Sequence, residues 1–288
     1  MKTNLTISFL SIILIFFGAC NIVNPKEKLP TYIQIDSVQL LPTVSATHGS
    51  VSQKITDVWV YYNRQLLGAY QLPAKVPVIA SGSGQLQILA GIWNNGLSGT
   101  RAKYPFYTYD YFDIDESPTK VIKHTPVFNY RTTDTPAVKY YIESFEQGNS
   151  FMKFDGDTTF SKTNNPTEVF EGDWSAKVNL HDTITTFTSI TSQEYLLPAY
   201  SECYMELNYK TDGPMTVRVQ MDYQGSMIYS DVIGLNSKEN WTKIYIDLKG
   251  FASTYQGAKF KIILKAQLPT GMTNANYLID NFKIIYFN

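Results

Sequence analysis

The side chains most often used for catalysis are few and widely separated in this chain. The three histidines, His48, His124 and His181, lie far apart in the sequence, and none has the spacing of a metal-binding motif. The sequence contains no Gly-x-Ser-x-Gly nucleophile motif and no glycine-rich phosphate loop. It therefore predicts a protein that is not an enzyme, although distant residues could still converge in the folded chain.

Aromatic rings are the groups that could do binding chemistry here. The chain has 21 Tyr, 16 Phe and 4 Trp, and flat rings stack on the apolar faces of sugars while polar neighbours fix the orientation. In the C-terminal half the candidate ligand-binding residues are Tyr223, Tyr229, Trp241 and Tyr255. Packing into a core is the alternative for each ring, and it is the interpretation we favour for Trp174 and Trp241.

A second aromatic run occupies residues 104–112 in the N-terminal half. Alternation along a strand would place Tyr107, Tyr109 and Tyr111 on one face. If that face pointed outward it would be a patch for a partner. We expect it to point inward and to form half of a sandwich core.

The first twenty residues have the pattern expected of an export signal. Lys2 supplies the positive start, and the mostly apolar residues 5–17 are too few to cross a membrane, which takes about 20 residues. The segment Phe17-Gly18-Ala19-Cys20 resembles the lipobox of bacterial lipoproteins. That resemblance implies a signal peptide over residues 1–19, lipidation at Cys20 and an outer-membrane location, with the periplasmic or surface face left open. The alternatives are an uncleaved anchor and a soluble secreted protein.

Residues 20–31 contain two prolines and no hydrophobic pattern, so they are expected to form a lipidated tether. The remaining cysteine, Cys203, would then have no partner for a disulfide. It shares its strand face with Met205, Leu207 and Tyr209, which predicts a small core residue. The net charge of -1 and the lack of a basic run argue against nucleic acid as a partner.

Two all-β domains are predicted from the hydrophobic patterns. Residues 32–131 contain short strands between turns, as expected of an immunoglobulin-like β-sandwich. The polar segment 132–136 is the predicted linker. Residues 137–288 contain seven or eight strand candidates, among them the alternating segment 215–223, and fit a jelly-roll sandwich.

Three segments of the second domain carry a family resemblance. They are Ile142-Glu143-Ser144-Phe145-Glu146, residues 172–178 and residues 277–284. In this order and spacing they resemble the jelly rolls of carbohydrate-binding modules and galactose-binding-like domains. The resemblance covers about half of the chain and implies a fold more than a function, because this fold carries many unrelated binding sites. The N-terminal half resembles only uncharacterised Bacteroidota lipoproteins and implies no activity.

The same resemblance implies a candidate site for a structural calcium ion. Glu143, Glu146 and Asp280 occupy acidic positions of the motif, and calcium takes six or more oxygen ligands. Alternatively, these acids cap strands or pair with Lys177 and Lys283. No other cofactor is expected.

The leading interpretation is a lipid-anchored, non-catalytic envelope protein whose C-terminal jelly roll binds a glycan or another cell-surface component. The alternative is an accessory lipoprotein subunit of an outer-membrane complex for secretion, motility, uptake or barrel assembly. Its expected partners are the membrane, through the anchor, and either a glycan or an outer-membrane protein. Solvent-facing rings on a concave surface would favour the first interpretation, and a flat polar face would favour the second.

Overall fold

A computed structural model describes residues 27–43, 45–132 and 137–288. The signal peptide, Cys20, most of the tether and linker residues 133–136 lie outside the described residues, so lipidation stays a prediction. The described chain is almost entirely β-structure, which confirms the all-β prediction. Within it, no helix is long and apolar enough to cross a bilayer.

The described residues form 22 strands and two short helices. The strands are β1 Thr31–Ile35, β2 Gln39–Leu40, β3 Asp57–Tyr62, β4 Gln65–Gln71, β5 Ala74–Val78, β6 Gly84–Trp93, β7 Arg101–Lys103, β8 Asp110–Ile114, β9 Val121–Lys123, β10 Val127–Phe128, β11 Val138–Glu143, β12 Phe151–Gly156, β13 Ser161–Thr163, β14 Ser175–His181, β15 Thr186–Thr191, β16 Tyr195–Leu196, β17 Cys203–Thr211, β18 Met215–Tyr223, β19 Ser226–Leu235, β20 Lys238–Asp247, β21 Lys259–Gln267 and β22 Asn274–Phe287. The helices are α1 Ser45–His48 and α2 Lys249–Thr254.

The first domain folds around a five-stranded sheet in the order β4-β3-β6-β7, with β8 also paired to β6. A second sheet, β5-β1-β9, and the short pair β10-β2 complete the domain. Alternation in β3 places Val58 and Val60 in the core and Trp59 and Tyr61 on the opposite face, as period-two patterning requires. The immunoglobulin-like assignment of this domain stays a prediction.

The second domain consists of two facing sheets. The first, which we call the interface sheet, has the order β13-β14-β22-β17-β20, with β11 on β22. The second, which we call the outer sheet, has the order β12-β15-β21-β18-β19, with β16 on β21. The apolar residues of β18 are buried between the sheets, as their alternation predicts. Cys203 is buried in the same core, and burial raises the pKa of its thiol to about 12, which confirms its expected role as a core residue.

The two domains meet across a buried aromatic surface. Tyr204, Tyr245 and Ile285 lie on the interface sheet but belong to the hydrophobic cluster of the first domain. The ring of Tyr104 contacts those of Tyr204 and Tyr245, with centroids 5.3 and 4.8 Å apart. The core of the first domain therefore continues directly onto the second, despite the polar linker between them.

The aromatic run of the first domain departs from its predicted strand. Only β8 is a strand in this region, and the residues before it follow an irregular path. Tyr107 is buried at the domain contact, whereas Tyr109 and Tyr111 are 40% and 56% exposed. The prediction that these three rings share an inward face was wrong, because alternation holds only while the backbone stays extended.

Candidate functional site

The outer face of the outer sheet carries an unusual apolar row. In β15 and β21, Ile190 and Ile263 are directly paired, and Ile263 is paired in turn with Arg218 of β18. Both isoleucines are almost completely buried, at 4% and 0% exposure, yet neither belongs to either hydrophobic core. Other side chains on the solvent side of this sheet must therefore cover these two isoleucines.

Two aromatic rings lie above this face. Phe154 is on edge strand β12 and Tyr229 is on the opposite edge strand β19, with three strands between them. Strands spaced about 4.8 Å apart would put these edges about 19 Å apart in a flat sheet. The two ring centroids are nevertheless only 6.1 Å apart. The outer sheet must curl, so that its outer face is concave and its edges approach each other over the isoleucines.

The position of Phe154 depends on a break in the strand register. The pairing of β12 with β15 shifts between Lys153 and Asp155, so that Phe154 is the extra residue of a β-bulge. Such bulges bend an edge strand and re-aim a side chain. Phe154 and Tyr229 remain 46% and 44% exposed, so both rings keep a solvent-facing surface while they partly cover the concave face.

Charged and polar groups lie beside the rings. Arg218 donates through Nε to Asp231 Oδ1 at 2.5 Å, and Lys265 Nζ lies 3.5 Å from the same oxygen. The hydrogen bond from Arg218 lowers the pKa of Asp231. Gln220 of β18 pairs with Tyr229 on one side and with Lys261 on the other. The face thus combines two half-exposed rings, set over an apolar layer that the protein itself covers, with hydrogen-bonding groups beside them, and these exposed groups can bind a ligand that has both apolar faces and hydroxyls.

The structure distributes the predicted ligand-binding residues over three places. Tyr229 lies on the concave face. Tyr223 and Tyr255 contact each other, with ring centroids 5.6 Å apart, and pack against the core. Trp241 lies on the interface sheet, where its ring is 5.3 Å from that of Phe170.

Sequence reasoning missed Phe154 as a candidate. Its segment, Phe151-Met152-Lys153-Phe154, shows no alternation that would mark an outward ring, because the bulge interrupts the strand. By contrast, Trp174 packs against the core, as expected, with Lys162 Nζ 4.5 Å from its ring centroid.

The carboxylates of the candidate calcium site are engaged in local hydrogen bonds. Glu143 accepts from the backbone N–H groups of Phe145 and Ser150 at 2.6 and 2.7 Å. Glu146 accepts from those of Asp173 and Trp174, both at 3.1 Å. A calcium ion would need these carboxylate oxygens as ligands, but they already accept hydrogen bonds from the backbone.

The third acid of that set, Asp280, is enclosed in the same way. It accepts from the Ser175 hydroxyl and from the Asn281 N–H, both at 2.6 Å, and burial raises its pKa to about 6. Among the described residues, no three His, Cys, Asp or Glu side chains are grouped so that they could hold a metal ion. The geometry gives the calcium site no support, and it stays a prediction.

Comparison with known proteins finds likeness only among solved structures. No protein-family model matches the chain, and no curated protein matches it. The chain is similar to TmCBM61 in complex with beta-1,4-galactotriose, with 16% identity over 50% of this chain and 86% of that chain and a TM-score of 0.30. It is also similar to a family 29 carbohydrate-binding module, with 9% identity over 51% and 88% of the two chains and a TM-score of 0.34.

A third similar structure concerns the promiscuous specificity of carbohydrate-binding modules of the β-sandwich superfamily. Its identity is 11% over 89% of this chain and 99% of that chain, with a TM-score of 0.39. Because all three TM-scores are below 0.5, only the geometry of this chain can support a function for it.

Proposed function

We propose that the chain is a non-catalytic protein that binds carbohydrate on the concave face of its outer sheet. The observation that carries this proposal is the approach of Phe154 and Tyr229 to 6.1 Å from opposite edges of one sheet, with both rings about half exposed. Sugar rings present C–H faces that stack on such aromatic surfaces. Their hydroxyls need donors and acceptors at fixed positions, and Arg218 with Asp231 supplies both.

The surroundings of the rings favour a sugar chain over a wholly apolar ligand. Beneath the rings lies the Ile190–Ile263 pair, but the rim carries Lys261, Lys265 and the Arg218–Asp231 pair. A wholly apolar ligand would remove water from these charged groups and offer them no hydrogen bonds in return, which is costly. An oligosaccharide can stack one ring on an aromatic side chain and direct its hydroxyls to the rim.

We further propose that Cys20 is lipidated and tethers this binding face to the outer membrane. The support is the lipobox-like segment at residues 17–20. Two or more acyl chains give stable anchoring where a single chain does not. The ligand would then be a glycan of the cell surface or one that reaches the envelope.

The test is a glycan array probed with the whole chain, followed by titration of any glycan that binds. Replacing either ring, in Phe154→Ala or Tyr229→Ala, should weaken binding about tenfold, which corresponds to about 1.4 kcal/mol of lost stacking. The matched control is Tyr200→Ala, which removes a ring that is 72% exposed elsewhere on the domain. Absence of binding across polysaccharides and envelope sugars, or an equal loss in the control, would overturn the proposal.

A second candidate function is that of an accessory subunit in an outer-membrane complex. It is favoured by the outer face of the first domain's five-stranded sheet, where Leu66 and Tyr111 are 47% and 56% exposed. Through Tyr61 and Gln87 these two residues fall in one cross-strand row. Pull-down in mild detergent should then recover an outer-membrane protein in stoichiometric amount, and Leu66→Asp should abolish the recovery. A chain recovered alone would contradict this function.

A further inference from the structure

A cavity lies where the first domain meets an edge of the second, and its lining includes none of the residues named for the concave face. Its volume is about 170 Å³. One wall comes from the end of β6 and the turn after it, and another comes from the end of β19 and the start of β20. The cavity is smaller than the pockets that hold drug-sized ligands, so it suits a small group.

The first-domain wall of this cavity is fixed by the second domain. Asn95 donates its N–H to the carbonyl of Tyr245 at 3.0 Å, and its side-chain oxygen accepts from the N–H of Asp247 at 2.8 Å. Gly96 has a φ of +68°, and a Cβ there would lie 3.0 Å from Ile244 Cδ1. The turn is therefore held against β20, and the cavity is formed before any ligand arrives.

The cavity is lined by positive charge without matching negative charge. Lys54, Lys238 and Lys243 line it, and no Asp or Glu does. Lys243 is neutralised by Glu206, whose Oε2 lies 2.5 Å from its Nζ. Neither Lys54 nor Lys238 forms an ion pair within the described part of the chain.

The surroundings of Lys54 show how the excess of positive charge acts on one lysine. Its ammonium donates to the hydroxyl of Thr242 at 2.8 Å, a neutral partner that does not balance its charge. Burial, together with the positive charge of Lys238, lowers the pKa of Lys54. An anion between the two lysines would offset both effects on Lys54, because a nearby negative charge favours the charged form of its amine.

Neutral donors complete the lining. Tyr209, 4% exposed, lines the cavity. Trp93 also lines it, and its buried indole N–H has no acceptor among the described residues. A cavity with two ammonium groups that lack a counter-ion, and with no carboxylate in its lining, fits an oxyanion.

We propose that this cavity binds a small oxyanion between Lys54 and Lys238. The chemistry is shared by the carboxylate of an acidic sugar and by free sulfate or phosphate. Because its walls come from both domains, a bound oxyanion touches both and stabilises their contact. The site lies where the first domain meets the end of β19 and the start of β20, and it shares no lining residue with the carbohydrate-binding face.

The test is isothermal titration of the whole chain with sodium sulfate, sodium phosphate and sodium glucuronate. Sodium chloride at the same ionic strength and neutral glucose serve as reference ligands. Lys238→Gln, an exposed substitution that should not disturb folding, is expected to weaken oxyanion binding about tenfold through loss of one charge-assisted contact. Lys54→Gln should do the same, and Lys120→Gln, an exposed lysine of the first domain, should bind as the wild type does.

The outcomes separate the ligand sources and the two proposals. Binding of glucuronate alone identifies an acidic sugar, and binding of sulfate or phosphate alone identifies a free ion; both support the oxyanion site. Phe154→Ala should keep full oxyanion affinity, so failure of the carbohydrate proposal would leave this one intact. Equal affinity in wild type and Lys238→Gln, or a response no larger than that to chloride, would overturn it.

Discussion

Lys243 Nζ lies 2.5 Å from Glu206 Oε2, and both side chains are almost completely enclosed, at 2% and 0% exposure. The first domain supplies further donors to this carboxylate, since the hydroxyls of Tyr104 and Tyr130 both bind it, that of Tyr130 at 2.7 Å. Lys283 Nζ lies 3.5 Å from the same Oε2. The contact between the domains is thus centred on one buried carboxylate that bonds to both of them.

Replacing this carboxylate should destabilise the protein strongly. In Glu206→Gln, the two buried ammonium groups of Lys243 and Lys283 would lose their counter-ion, which typically costs about 3–5 kcal/mol. Urea denaturation should show this drop in the free energy of unfolding. The control is Asp231→Asn, which breaks a surface pair with Arg218 and should cost at most about 1 kcal/mol. Equal losses in the two variants would contradict the central role of Glu206.

The same carboxylate predicts a pH dependence. Burial alone would raise the pKa of Glu206, but the positive charges of Lys243 and Lys283 outweigh it and lower the pKa to about 2. Since the folded-state pKa is below the ordinary value of 4.5, the stabilisation is present above pH 4.5 and is lost as pH falls toward 2.

The measurement is the difference in free energy of unfolding between wild type and Glu206→Gln as a function of pH. This difference should shrink as the pH falls from about 5 toward 3. Comparing the two chains cancels the titration of the other acids. A difference that stays constant down to pH 3 would mean that folding does not lower the pKa of Glu206.

Gly91 of β6 should not tolerate even a methyl group. A Cβ there would lie 2.8 Å from Asp57 Cβ and 3.1 Å from the Asp57 carbonyl oxygen, so the backbone would have to move. Gly91→Ala is therefore expected to cost about 1–3 kcal/mol by thermal or urea unfolding. The matched control is Gly234→Ala in β19, where a Cβ meets nothing within 4 Å. The control should change stability by about 0.5 kcal/mol or less, and a similar cost at both glycines would refute the steric argument.

Lipidation can be tested separately from binding. Cys20→Ser removes the only sulfur in the lipobox-like segment, so the variant should carry no acyl chains and should leave the membrane fraction. Mass spectrometry of the mature N-terminus measures the modification directly. A wild-type chain without fatty acid, cleaved at another position, would contradict the anchoring proposal while leaving both binding proposals open.

Several features of the fold could be predicted because they depend on neighbouring residues alone. The alternation in segment 215–223 identified the buried face of β18, and the same reasoning placed Cys203 in a core. The segment Asn94-Asn95-Gly96 predicts a turn, and Asn95 and Gly96 do adopt the positive φ angles that such turns require. These patterns repeat every two residues or fit within one turn, so the chain displays them locally.

The candidate sites were decided by contacts between distant parts of the chain. Phe154 and Tyr229 meet only because the outer sheet curls and a bulge re-aims one of them, and neither event has a local signature. Likewise, Lys54 and Lys238 share a cavity only because the first domain docks on the second. The sequence determined which residues face a core, since that follows from the period of a strand. The curl of the outer sheet and the docking of the two domains depend on the packing of many strands at once. Only the tertiary structure therefore decided which exposed groups lie together in a site.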